Sequence, residues 1–151
     1  MENSKFEELH GLYLSLIPLL QKCKTIYNND RSDNSCNKNQ IMAIMIIGKA
    51  KTIMPTALSK LINMEKGSLT TLIDSLEKKE YVKRFCDPGD RRKTMLSLTD
   101  KGITQMKVIE EQSQKVFAAM LAGLDTSEIN EMHSSLKSLV KILKKISGNI
   151  I

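Results

Sequence analysis

The chain has 151 residues, of which 41% are hydrophobic and 26% charged, and its formal net charge is +6. This composition excludes a fully disordered chain and is typical of one globular domain or a small protein of two lobes. With no Trp, three Tyr and three Phe, the core must consist mainly of Leu, Ile and Met, which favours helices. The positive charge favours a polyanionic partner without identifying one.

Cysteine use and hydropathy limit the environment of the protein. Cys23, Cys36 and Cys86 are odd in number and lack C-x-x-C spacing, so neither a disulfide framework nor a structural zinc site is predicted. The apolar run 12–20 is too short to span a bilayer, and glutamates precede it where a signal peptide would carry positive charge. We therefore expect a cytoplasmic protein with reduced thiols and no membrane partner.

The first third of the chain predicts two apolar helices. Apolar residues recur at helical spacing over residues 4–27, and Pro18 predicts a kink or a break near residues 15–17. Residues 28–39 are rich in turn formers and predict a polar loop. Residues 40–50 are apolar on nearly every side, which is typical of a buried central helix.

The middle of the chain predicts two helices joined by a tight turn. Pro55 opens a short helix over residues 56–62, and Asn63 follows where a left-handed residue would end it. A second helix over residues 66–79 has an apolar face at i, i+3, i+4 and i+7, formed by Leu69, Leu72, Ile73 and Leu76. DNA readers use this arrangement to hold one helix against a groove, although it also occurs as ordinary packing.

A predicted β-hairpin follows these helices. Residues 81–86 and 94–98 read as strands that enclose D-P-G-D-R-R-K, and a hairpin after a helix-turn-helix is the layout of a winged helix. A tip beside the second helix would lie over a minor groove, where Arg91 and Arg92 are attracted by negative potential. We expect Asp90 to orient one guanidinium through a bidentate pair. Alternatively, the cations only keep an exposed loop soluble.

The last third of the chain predicts two further helices. Thr99 is placed to cap a long helix that begins near Asp100, Gly123 interrupts it, and D-T-S-E at residues 125–128 starts the next one. An apolar stripe then continues to Ile146. These helices and the first one would bury their stripes against a second copy, unless they fold back on their own chain.

Three motifs between residues 58 and 102 carry a family resemblance: L-S-K-L-I-N-M-E-K-G-S-L-T-T-L-I-D-S-L-E-K-K-E-Y-V-K-R, D-P-G-D-R-R-K and L-S-L-T-D-K-G. They resemble the multiple-antibiotic-resistance regulator (MarR) family of bacterial winged-helix transcription factors. The resemblance implies a mainly α fold with a small β-hairpin. It divides the chain into an N-terminal dimerisation helix and loop (1–36), a winged helix-turn-helix lobe (37–99) and C-terminal dimerisation helices (100–151).

The function implied by the resemblance is that of a homodimeric, sequence-specific regulator, most often a repressor, which binds double-stranded DNA at a palindromic operator. A small-molecule effector would release it. The expected DNA-binding residues are Gly67, Ser68, Thr70, Thr71, Ser75 and Lys78 on the second helix and Asp90, Arg91, Arg92 and Lys93 in the wing. For Ser68 and Thr70 the alternative is helix capping or plain exposure.

Two residues depart from the pattern of the family. Glu80 stands where members usually have a glycine that ends the recognition helix, so the turn needs another cap or carries strain. Thr71 stands where members often have arginine or another long polar residue, so little direct guanine readout is expected from this helix.

The sequence shows no catalytic pattern. His10 and His133 lie far apart, and there is neither a Gly-rich phosphate loop nor H-E-x-x-H, so we expect no enzyme, no cofactor and no metal. A winged-helix protein-interaction module without DNA binding remains an alternative, although it would not need a basic wing. A thiol-based oxidant sensor acting through Cys23 is another, but a buried, inert cysteine is the favoured interpretation there.

Overall fold

The computed structural model describes residues 2–29 and 36–147. The elements in chain order are α1 (Glu2–Asn29), α2 (Lys38–Ala50), α3 (Pro55–Ile62), α4 (Lys66–Lys78), β1 (Val82–Cys86), β2 (Thr94–Leu98), α5 (Asp100–Leu121) and α6 (Thr126–Ser147). The prediction of a mainly helical fold with one small hairpin is therefore confirmed. Of the polar loop expected over residues 28–39, residues 30–35 lie outside the described residues, while residues 28–29 belong to α1 and residues 38–39 to α2.

The chain divides into two compact units. One comprises residues 1–32 and 112–139, and the other comprises residues 33–111 and 140–151. The second unit contains α2, α3, α4 and the hairpin, which is the winged helix-turn-helix arrangement. The functional division at residues 36 and 99 stays a prediction.

The hydrophobic core of the winged unit draws on every element from α2 to β2. Its largest fully buried side chains are Ile44, Ile47, Leu58, Ile73, Leu76 and Leu96. These aliphatic residues pack without a buried aromatic ring among them, as the composition predicts. The prediction that α2 is the central buried helix is confirmed, since Ala43, Ile44 and Ile47 are fully buried.

The hairpin is a two-stranded antiparallel sheet whose register runs from Val82 opposite Leu98 to Cys86 opposite Thr94. A short bridge ties it to the segment between α2 and α3, because Ile53 and Leu96 exchange both backbone hydrogen bonds, at 3.1 and 2.8 Å. The sequence does not predict this bridge. It matters because a two-stranded hairpin is marginally stable alone.

Helix α1 continues through Pro18 without a break. Of the kink or break expected near residues 15–17, the break is therefore wrong, and the kink stays a prediction. Proline removes one backbone donor, but the rest of a helix of 28 residues keeps its own hydrogen bonds. The hydroxyl of Ser15 donates to the carbonyl of Gly11 over 2.9 Å in the same stretch.

The predicted starts of α5 and α6 are confirmed by their caps. The Thr99 hydroxyl accepts the N–H of Gly102 at 3.0 Å. Asp125 and Glu128 form a reciprocal capping box, in which each carboxylate accepts the other residue's backbone N–H at 2.9 Å.

Candidate nucleic-acid interface

The turn between α3 and α4 has the geometry that the sequence predicts. Pro55 is the first residue of α3, and Asn63 ends it in the left-handed region at φ 56° and ψ 53°. The Ser59 hydroxyl donates to the carbonyl of Met64 and closes the turn. Helix α4 then begins at Lys66.

Helix α4 has one buried face and one exposed face. Leu69, Leu72, Ile73 and Leu76 are buried, whereas Gly67, Ser68, Thr70 and Thr71 are exposed near the helix start. The hydroxyls of Thr70 and Thr71 donate to carbonyls one turn earlier, at 3.0 and 3.3 Å. Their oxygens keep acceptor capacity. At these four positions the exposed face is therefore small, polar and uncharged, whereas Lys66, Asp74 and Lys78 are exposed charged residues of the same helix.

Ser75 differs from the other expected contact residues on α4. It is half-buried, accepts a hydrogen bond from Gln40 Nε2 at 3.0 Å and donates to the carbonyl of Leu72 at 2.7 Å. Its hydroxyl therefore joins α4 to α2, while Lys78 is exposed.

Gln40 is the buried polar residue that makes this connection, and the sequence-based interpretation missed it. Its side-chain oxygen also accepts from the N–H of Asn37 at 3.1 Å and from Lys79 Nζ at 3.0 Å. The N-x-x-Q spacing of Asn37 and Gln40 at the start of α2 is the signal that could have found it, because it forms a capping box.

The tip of the wing is held by its two aspartates. Asp87 Oδ1 accepts the N–H of Gly89 at 2.7 Å, and Asp90 Oδ1 accepts the N–H of Arg92 at 3.1 Å. Asp90 Oδ2 lies 3.7 Å from Lys93 Nζ. The expectation that Asp90 pairs with a guanidinium is therefore wrong, because the carboxylate binds the loop backbone and the lysine.

Arg91 and Arg92 are both exposed, and neither forms an ion pair with any residue that the structure describes. Guanidinium groups without a protein partner remain available to an external anion. The tightly turned loop of the wing thus carries two exposed arginine side chains.

Arg84 on β1 is a second residue that the sequence-based interpretation missed. One of its guanidinium nitrogens lies 2.6 Å from Asp74 Oδ1, and the other contacts Glu77 Oε2. Its backbone N–H also donates to Glu77 Oε1 at 3.2 Å. The available signal was the i, i+3 spacing of the two carboxylates on α4, followed by an arginine in the adjoining strand.

A cleft of about 500 Å³ opens between α3, α4 and the hairpin. Its lining combines apolar groups from Pro55, Leu69 and Ile73 with the cationic side chains of Lys66 and Arg84. Thr70 of the exposed α4 face also contributes to this lining. The cleft therefore adjoins the residues that are expected to contact DNA.

The thiols and histidines of the described residues form no metal site, since no group of three or more potential ligands converges there. Cys36 is buried, whereas Cys23 and Cys86 are exposed. The expectation of a buried Cys23 is therefore wrong for this chain. Among the described helices, none has the length and apolar character required to cross a membrane.

The profile of the MarR family matches residues 36–94, which contain α2 to β1 and the whole wing tip. The chain belongs to the MarR family. The HTH-type transcriptional regulator SarZ of Staphylococcus haemolyticus is 30% identical over 99 residues, which are 66% of each chain. Like its relatives, this MarR-family member is a transcriptional regulator and not an enzyme.

Solved structures confirm the winged-helix fold. A mutant of MarR from E. coli complexed with operator DNA superposes with a TM-score of 0.63 at 24% identity, covering 89% of this chain and 96% of that one. FabT of Streptococcus pneumoniae in complex with DNA gives a TM-score of 0.61 at 23% identity, covering 93% and 99%.

Proposed function

We propose that this MarR-family chain is a homodimeric, sequence-specific DNA-binding regulator that represses transcription from palindromic operators and responds to a small effector. The observation that carries the proposal is that one lobe combines the small residues exposed on α4 with two wing arginines that form no ion pair with any described residue. A protein-interaction module would have no need of these cations.

The exposed face of α4 suits the major groove. Small hydroxyl-bearing residues permit close approach of the helix, and threonine methyl groups pack on thymine methyl groups. With no arginine at position 71, the helix supplies little bidentate readout of guanine. The wing arginines suit the narrow minor groove of A·T-rich DNA. The solved structures of MarR with operator DNA and of FabT with DNA support DNA as the partner.

The apolar surface of α1 and α6 supports a homodimer. Seven large side chains of α1 are more than half exposed, namely Phe6, Leu9, Leu12, Tyr13, Leu14, Leu19 and Leu20. In α6, Ile129, Leu136, Val140, Ile142 and Ile146 are between 41% and 76% exposed. Exposed apolar patches of this kind mark association surfaces. A second copy would cover them and supply the two-fold symmetry that a palindromic operator requires.

The cleft beside α4 supports an effector response. A molecule bound between α3, α4 and the hairpin would lie against Thr70 and Arg84, next to the proposed DNA-binding face. Binding there would change the affinity for DNA only if the ligand distinguishes free from DNA-bound protein. An operator-bound dimer that is displaced in this way acts as a ligand-responsive repressor.

Selection of duplexes from a random DNA pool by the purified protein tests the DNA-binding proposal. We expect A·T-rich, palindromic sequences with few specific G·C positions, and a variant with Arg91→Ala and Arg92→Ala should enrich them poorly. Enrichment of G·C-rich half-sites contradicts the readout proposed for α4. If the protein enriches no duplex, the protein-interaction module becomes the better interpretation.

A further inference from the structure

Arg84 joins the wing to α4 through both carboxylates on one side of that helix. We propose that this clamp, formed by Arg84, Asp74 and Glu77, positions the wing arginines relative to α4 when the protein binds DNA. The inference rests on the DNA-binding function proposed above. It makes Arg84 a positioning residue and assigns a role to two acidic residues on the helix expected to face DNA.

The clamp holds both the side chain and the backbone of Arg84. The guanidinium reaches Asp74 at 2.6 Å with one nitrogen and contacts Glu77 with the other. The backbone N–H of Arg84 donates to the second oxygen of Glu77 at 3.2 Å. A single exposed ion pair contributes little, but a planar guanidinium shared by two carboxylates restrains orientation. Arg84 therefore fixes the backbone of β1 as well as its own side chain.

The position of Arg84 in the hairpin gives the clamp its effect on the tip. Arg84 lies in the middle of β1 opposite Leu96, and Leu96 also forms the bridge to Ile53. The hairpin is thus held on one side by that bridge and on the α4 side by the clamp. Only Phe85 and Cys86 separate the clamp from the loop that carries the arginines. Buried core side chains such as Leu96 anchor the base of the hairpin, so without the clamp only the part that carries the tip could bend away from α4.

The positioning role and simple charge repulsion predict opposite effects on DNA binding when the two carboxylates are removed. Asp74 and Glu77 bring two negative charges to the proposed DNA-facing lobe, and Arg84 neutralises only one of them. If electrostatic repulsion dominated, replacing them would tighten binding to the phosphate backbone. The same holds if Arg84 itself bound phosphate, because the replacement would release it. If the clamp positions the wing, the replacement weakens binding.

The decisive experiment compares a double variant, Asp74→Ala with Glu77→Ala, with the parent on the duplex that the parent selects from a random pool. We expect about five- to tenfold weaker binding at fixed salt. The matched control is Glu65→Ala, which removes an exposed carboxylate that caps no N–H group and forms no ion pair among the described residues. This control should bind as tightly as the parent or more tightly.

A double-mutant cycle separates positioning from a general loss of stability. Arg91→Ala should weaken binding less in the clamp-deficient background than in the parent, because a wing that is already misplaced has less to lose. A destabilised but correctly oriented lobe would show additive effects. Should the double variant fail to fold, Arg84→Lys is used instead, because it removes the planar guanidinium shared by the two carboxylates but keeps the positive charge. In this background too, Arg91→Ala should weaken binding less than it does in the parent.

The outcomes distinguish this inference from the proposed function. Clamp variants that bind the selected duplex as tightly as the parent, or that act additively with Arg91→Ala, overturn the inference and leave the DNA-binding proposal intact. A parent protein that selects no duplex overturns the proposed function and the inference with it.

Discussion

The carboxylate of Asp90 accepts the backbone N–H of Arg92 over 3.1 Å, and its second oxygen lies 3.7 Å from Lys93 Nζ. Backbone hydrogen bonds between Asp87 and Lys93 and between Lys93 and Asp90, both 2.9 Å, close the same loop. Asp90 therefore sets the path of the wing backbone, and the arginine side chains project from a loop whose shape depends on this carboxylate.

Asp90→Ala should weaken operator binding although it removes a negative charge near DNA. The loop loses the acceptor for the Arg92 N–H, so both arginines lose their placement. Asp90→Asn is the matched control, because its side-chain oxygen can still accept that N–H, and it should bind more tightly than Asp90→Ala. Titrations with operator DNA at fixed salt compare the affinities of the parent, Asp90→Asn and Asp90→Ala. Tighter binding by Asp90→Ala than by the parent would show that simple charge repulsion dominates.

Arg91→Ala and Arg92→Ala should each weaken DNA binding by about 1–3 kcal/mol per half-site if the guanidinium enters the minor groove. In a dimer the loss is felt at both wings. The difference from the parent should shrink as salt increases, since part of the binding free energy comes from counterion release. Lys107→Ala, an exposed lysine on α5, is the control. Unchanged DNA affinity in both arginine variants would show that the wing is only a solvated loop without a role in DNA binding.

Glu80→Gly should raise the free energy of unfolding by about 1 kcal/mol. Glu80 has a φ of 61° at the end of α4, where a side chain is strained and glycine is not. The N–H groups of Glu80 and Tyr81 bond the carbonyls of Glu77 and Leu76 at 2.8 and 2.9 Å. This is the pattern of a Schellman cap, which explains how the helix ends without the family's glycine.

Glu80→Ala is the control for that prediction. Alanine keeps the Cβ and so keeps the strain, while both variants lose the exposed ion pair with Lys101 at 2.9 Å. Chemical denaturation of the three proteins measures the difference. If alanine stabilises the protein as much as glycine does, relief of backbone strain is not the cause.

Gly102→Ala should destabilise the protein by about 3 kcal/mol or more. A Cβ at this position would lie 1.9 Å from the carbonyl oxygen of Tyr81, and backbone atoms cannot move aside as a flexible side chain would. Gly67→Ala is the matched control, since a Cβ at Gly67 meets nothing within 4 Å. It should change stability by no more than about 1 kcal/mol, in the favourable direction. Equal effects at both positions would contradict the close approach at Tyr81.

Leu136→Glu should convert a stable dimer into a less stable monomer. Leu136 is 41% exposed on α6, so a charge there harms the proposed contact with a second copy more than the chain's own core. Lys137→Glu places the same side chain at the adjoining exposed position and should leave the dimer intact. Light scattering at micromolar concentration gives the masses. A folded monomer in the parent protein would contradict the dimer itself.

The sequence determined the elements and their caps because these depend on neighbouring residues. Helical spacing placed the buried face of α4, the left-handed Asn63 ended α3, and Thr99 capped α5, all as predicted. The wing was recognisable for the same reason, since two short β-like runs enclose a turn sequence. Pro18 is the exception, since neighbouring residues predicted a possible break there and α1 continues through it. A long helix tolerates the loss of one backbone hydrogen bond.

The tertiary structure alone decided which polar side chains meet. Arg84 and Asp74 are 10 residues apart, and Gln40 and Ser75 are 35 residues apart, so their contacts depend on how α2, α4 and the hairpin pack together. The same packing turned Ser75 toward Gln40 and left Arg91 and Arg92 without an ion-pair partner among the residues that the structure describes. Periodicity fixes which face of a helix is apolar, but the partner of a polar side chain is fixed only when two elements reach their final separation and angle.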